Sequence, residues 1–88
     1  MDDPVIWKYV VKPYQKVKMP LYAELLSVGV QGTDIVVWAA VHPGQEMGAR
    51  QIEVVPTGGM MPTLAKAHLG TVQFPSGLVF HIFDGGYA

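Results

Sequence analysis

The residues best suited to chemistry in this chain gather in one short stretch. Val55-Pro56-Thr57-Gly58-Gly59-Met60-Met61-Pro62 places two adjacent glycines behind a threonine and ahead of two methionines. Adjacent glycines let backbone N–H groups converge on an anion, and Thr57 adds a hydroxyl. Arg50 is the sole arginine and begins the strand that leads into this loop. A guanidinium grips a phosphate at two points, which an ammonium cannot do. Met60 and Met61 could lie over an apolar ring as a flexible lid. The expected ligand-binding set is therefore Arg50, Thr57, Gly58 and Gly59, with Tyr22 or Trp38 stacking on a base and His42 placed at a strand end, where binding groups often sit. The segment lacks the Gly-Lys-Ser/Thr ending of a P-loop. The competing reading is a plain connection whose methionines tuck into the core.

Catalytic sets are harder to find. His42, His68 and His81 show no metal-ligand spacing within one element. His81, beside Phe80 and Phe83, reads as structural. Ser27 and Ser76 are the only serines, and no Gly-x-Ser-x-Gly elbow exists. Asp2, Asp3, Asp34 and Asp84 mostly flank turns or termini, while Glu24, Glu46 and Glu53 are well separated. No pair is placed by sequence for acid–base work. With no cysteine, disulfides, thiolate zinc sites and cysteine nucleophiles are excluded. The expectation is a binder rather than an enzyme, with neither metal nor cofactor.

Composition points the same way. The 88 residues suffice for one domain, 1–88. Half are hydrophobic and only 15% are charged, against about 25% in a typical globular protein. So small a domain has little interior for these side chains, which predicts a homo-oligomer that covers apolar surface with further copies. Lys8, Lys12, Lys16 and Lys18 form a weak basic cluster that alternates with aromatics, but the formal net charge is −1. A nucleic-acid reader would carry a clearer basic excess. The N-terminus is acidic, no apolar stretch of signal-peptide type follows it, and no run approaches the length of a membrane helix. A soluble, cytoplasmic protein is expected.

The elements that must position these residues read mostly as strands. Asp34 to Pro43 is apolar on both faces and is bounded by Gly32-Thr33-Asp34 and Pro43-Gly44, the pattern of a strand buried on both sides. Pro4 to Lys12 alternates, with Val5, Trp7, Tyr9 and Val11 on a well-buried face, and Lys12-Pro13-Tyr14 ends it. Gln15–Met19, Leu26–Gln31, Arg50–Pro56, Leu69–Phe74 and Leu78–Asp84 read as further strands. Hairpins are expected at Gln31-Gly32-Thr33-Asp34 and at Pro75-Ser76-Gly77. Pro20–Leu25 could form one helical turn, Thr63–His68 a short helix, and 85–88 a loose tail. The fold class is mainly β: a compact antiparallel β-sandwich or small barrel of six to seven short strands, with one or two short helices.

The order of several short motifs carries a resemblance. Ile6-Trp7-Lys8-Tyr9, Met19-Pro20, Leu26-Ser27-Val28, Val37-Trp38-Ala39 with Pro43, Thr57-Gly58, Leu69-Gly70-Thr71-Val72-Gln73 and Phe80-His81-Ile82-Phe83 follow one another across nearly the whole chain. In this order they resemble a family of small proteins of unknown function encoded by bacteriophages and prophages. The resemblance implies a life in the cytoplasm of an infected bacterium and supplies no catalytic residues. Two functions of different classes fit it. One is a sponge that sequesters a nucleotide-derived host immune signal. The other is a protein-interaction module that inhibits a host defence protein by direct binding.

Overall fold

The computed structural model describes residues 3–13 and 15–88. Among the described residues, seven strands run in chain order: β1 Val5–Val11, β2 Val17–Pro20, β3 Glu24–Gln31, β4 Asp34–Val41, β5 Met47–Pro56, β6 Ala67–Gln73 and β7 Val79–Tyr87. They form two antiparallel sheets, ordered β1-β4-β3 and β2-β5-β7-β6. The architecture is thus sandwich-like and is not a closed barrel. Tyr14, expected to help end β1, lies outside the described residues.

The hairpin at Gln31-Gly32-Thr33-Asp34 forms as expected. Gln31 pairs with Asp34, and Gly32 takes a φ of 60° that a residue without Cβ adopts freely. The turn delivers β4 to the middle of the smaller sheet. Ile35, Val37, Ala39 and Val41 then face inward, where they meet Met19, Ile52, Val72 and Ile82. Val36 is buried as well, on the opposite face. Each such aliphatic side chain contributes about 1.5–3 kcal/mol on burial. A truncation in β4 would remove a large share of a net stability of about 5–15 kcal/mol.

Three expectations need correction. Among the described residues there is no helix. In the Pro20–Leu25 segment, Pro20 ends the edge strand β2, where its missing N–H is tolerated. Tyr22 then takes a φ of 66°, outside the helical region, and turns the chain into β3. In the Thr63–His68 segment only Ala65 N–H bonds back, to Pro62 O at 3.3 Å. One bond does not offset the cost of starting a helix. The Lys66 N–H instead donates to Asp84 O at 2.8 Å, and β6 begins one residue later.

Residues 85–87 are no loose tail. β7 continues through them, past an irregularity opposite Gln51 and Ile52. Gln51 pairs with Gly86 and Arg50 with Tyr87, and the Ala88 N–H donates to Ala49 O at 2.8 Å.

The third correction concerns β1, whose expected buried face is mostly open. Only Val11 is buried and Tyr9 half-buried; Val5 and Trp7 stand exposed. The reason is topological. β1 is an outer strand of the narrower sheet and packs broadly on β4 alone, while the broadest contact between the sheets is β3 on β6. The molecule is accordingly flat, 43 × 28 × 17 Å.

Candidate functional site

β7 lies between β5 and β6 and is antiparallel to both, so the chain leaving Pro56 beside Phe80 must cross β7 and run back along it to Lys66, beside Asp84, before β6 begins. Local bonds hold both ends of this loop. The Thr57 N–H donates to Val79 O at 3.2 Å and the Gly59 N–H to Pro56 O at 2.9 Å. At the far end the Lys66 N–H is bound to Asp84 O.

A chain of side chains anchors the near end to the sheet. Thr57 Oγ1 lies 2.8 Å from His81 Nε2, and His81 Nδ1 lies 3.0 Å from Thr71 Oγ1. Thr71 Oγ1 is in turn 3.4 Å from His68 Nε2. Register explains the grouping, because Thr71 pairs directly with His81 and His68 with Phe83, placing all of them on one face. Hydroxyls both donate and accept, so this arrangement satisfies His81 in either tautomer.

The loop held in this way presents apolar side chains to solvent. Met60 is 91% exposed and Met61 67%, with Leu64 exposed beyond them. Beside it is an open cleft of about 320 Å³, lined by Val54, Val55, Pro56, Gly59, Met60 and Pro62, with Glu53 as its charged wall.

Arg50 is not beside Thr57, Gly58 and Gly59. It lies seven residues before Thr57 along β5, about 23 Å away at the usual rise per residue, and its partner Asp84 meets the far end of the loop at Lys66. Its Nε donates to Asp84 Oδ1 at 2.9 Å and Nη2 to Oδ2 at 2.6 Å. Nη1 donates to Ala23 O at 2.8 Å, and the guanidinium carbon lies 4.7 Å from the centre of the Tyr87 ring. Tyr87 donates its hydroxyl to Pro20 O and accepts from the Ala23 N–H. Asp84 Oδ1 also accepts from the Gly86 N–H at 2.8 Å.

This knot ties the β2–β3 turn to β5 and β7. The Asp84 hydrogen bond holds the Arg50 guanidinium above its usual pKa, against the opposing effect of burial. Burial pushes the Asp84 carboxyl up, but bonds from Arg50 and the Gly86 N–H, with the nearby charges of Arg50 and Lys66, outweigh it and leave the carboxyl below its usual value.

The structure therefore brings Thr57, Gly58 and Gly59 together and holds the remaining expected residues elsewhere. Tyr22 stands exposed at the β2–β3 turn, next to the carbonyl that Arg50 grips. Trp38 is half-buried on the outer face of the smaller sheet, its ring against Gly29. His42 is half-buried directly after β4 and accepts, through its carbonyl, the Gln45 N–H at 3.0 Å.

Sequence reasoning missed Asp84, Tyr87 and the anchoring role of His81. A lone arginine in a strand of alternating apolar residues was the available signal, since a buried guanidinium requires a carboxylate close by. Among the described residues, no group of three or more histidine, cysteine or acidic side chains could hold a metal ion.

Comparisons with curated proteins and with solved structures return no match. A family model does match, over residues 3–87, and its description is a domain of unknown function, DUF7352. By that match across nearly its whole length, the chain belongs to the DUF7352 family.

Proposed function

We propose that this chain is a non-enzymatic, phage-encoded binding protein that inhibits a host defence protein by direct contact, and that the Met60-Met61 loop makes the contact. The observation that carries this reading is the exposure of Met60 and Met61 on a loop anchored at both ends. Methionine side chains adapt to a partner's surface, and an anchored loop loses little freedom on binding. The neighbouring cleft offers a socket for a partner side chain. The phage origin rests on the motif order described above.

Nucleotide sequestration is the second reading, favoured by the volume of the cleft beside Gly59 and Met60, which reaches the lower end of the range for small-molecule sites. Its electrostatics are poorer. The N–H groups of Thr57 and Gly59 already donate to carbonyls, Thr57 Oγ1 is engaged by His81, and Arg50 serves Asp84. Glu53 on the wall repels phosphate.

Native mass spectrometry of the protein purified from the cells that make it tests both readings. The expected result is a stoichiometric polypeptide retained by the wild type, cross-linked to the 57–64 segment, and lost in Met60→Glu/Met61→Glu with unchanged unfolding. A retained small mass would transfer the conclusion to the nucleotide reading. Bare protein would overturn both.

A further inference from the structure

Among the described residues, β1 pairs with β4 and with no other strand, so its second edge is open. Folded proteins protect such edges with charge, proline or a covering segment, because unpaired N–H and C=O groups invite another strand. Here the strand itself reads Val-Ile-Trp-Lys-Tyr-Val-Val, with Ile6 65% exposed and Val5, Trp7 and Val10 each about 40% exposed. Apolar side chains therefore stand out on both faces of an open edge. The one charge, Lys8, is drawn away from that edge, since its Nζ donates to Gln31 Oε1 at 2.7 Å on the far side of β4.

The surface area points in the same direction. The chain exposes 5635 Å², whereas a compact monomer of 9.6 kDa exposes about 5,100 Å². The excess, about 500 Å², is commensurate with one side of a modest protein interface.

We propose that the occupant of this edge is a second copy of the chain, joined antiparallel through β1 about a two-fold axis. The result is one continuous six-stranded sheet, β3-β4-β1 followed by β1-β4-β3 of the other copy. A two-fold join uses the same apolar patch twice and needs no charge complementarity. Of the possible registers, we commit to the one centred on Trp7. It sets Trp7 against its own copy, Lys8 against Ile6 and Tyr9 against Val5. Each face then meets aromatic or aliphatic neighbours, and the two Lys8 ammonium groups do not sit opposite one another.

Sedimentation of the full chain at tens of micromolar, with two variants, tests the proposal. The wild type is expected at twice 9.6 kDa. Ile6→Lys places a cation opposite Lys8 of the other copy and is expected to shift the protein to monomer with unchanged circular dichroism. The chain has no cysteine, so Trp7→Cys is an unambiguous reporter. It is expected to form a covalent dimer under mild oxidation much faster than Leu78→Cys, which lies on the β6–β7 turn. A wild type that remains monomeric at 100 µM overturns the proposal. A dimer in which Trp7→Cys cross-links no faster than Leu78→Cys also overturns it, and this readout decides even if Ile6→Lys fails to fold.

Discussion

Arg50 and Asp84 meet in a two-point fork, with Nε and Nη2 of the guanidinium on the two carboxylate oxygens at 2.9 and 2.6 Å. Arg50 is buried and Asp84 half-buried, so the guanidinium depends on this carboxylate for its charge partner. Such a pair adds little net stability over well-packed apolar residues, but breaking it strands a buried charge. Asp84→Ala is expected to lower stability by about 3–5 kcal/mol. The double variant Arg50→Met/Asp84→Leu should recover much of that loss. Arg50→Lys should behave like a broken pair, because an ammonium cannot serve both oxygens and Ala23 O in the same geometry. Urea unfolding midpoints of the single and double variants check the coupling.

The same pair sets the response to acid. The Asp84 carboxyl is depressed in the folded chain, while in the unfolded chain it titrates near the ordinary value of about 3.9. As pH falls, the unfolded state takes up the proton first. The contribution is therefore fully present above about pH 4 and is lost as pH falls through the lower, folded value. Arg50 is shifted upward, so its contribution persists throughout the acid and neutral range. Unfolding midpoints should drop steeply below about pH 4 in the wild type, with a shallower drop in Asp84→Asn.

Tyr9 and Tyr87 should respond differently to loss of the hydroxyl. The Tyr9 hydroxyl is buried without a hydrogen-bond partner among the described residues. Burial, and then the neighbouring Tyr87, push its pKa up. Tyr9→Phe removes an unsatisfied group and is expected to be neutral or to stabilise by up to about 1 kcal/mol. Tyr87→Phe removes the bonds to Pro20 O and from the Ala23 N–H, at a cost of about 1–3 kcal/mol. Thermal melts should show a lowered midpoint for Tyr87→Phe and an unchanged or raised one for Tyr9→Phe.

How much of this was legible in the sequence differs by element. β4 could be read because a run apolar on both faces has few homes other than the middle of a sheet. The Gly32 hairpin could be read because few residues accept a positive φ. The Arg50 knot could not. Its partners Asp84 and Tyr87 lie over 30 positions away, and Gly85-Gly86 reads locally as a tail even though tertiary pairing makes it strand. β1 misled for a different reason: its period of two states which residues share a face, while the width of the opposing sheet decides whether that face is covered. The loop stands out by its residue types, but its N–H groups read as open to an anion because turn bonds such as Gly59 N–H to Pro56 O do not show in a list of residue types.

The Thr57–His81 bond makes the loop a testable unit apart from the core. Both groups are at the surface, and the bond joins the loop to β7, an inner strand of the larger sheet. Thr57→Val keeps the size and removes the hydroxyl. It should lower global stability by no more than about 0.5–1.5 kcal/mol. Its local effect should be larger, because the bonds that remain at that end are single backbone contacts from Thr57 and Gly59. Amide exchange at Gly58, Gly59 and Met60 should quicken severalfold, while Val37 and Ile82, buried in the core, keep their wild-type protection. Uniform quickening across both groups would mean that the hydroxyl supports the whole sheet. Unchanged exchange at the glycines would mean that the loop holds its shape without His81.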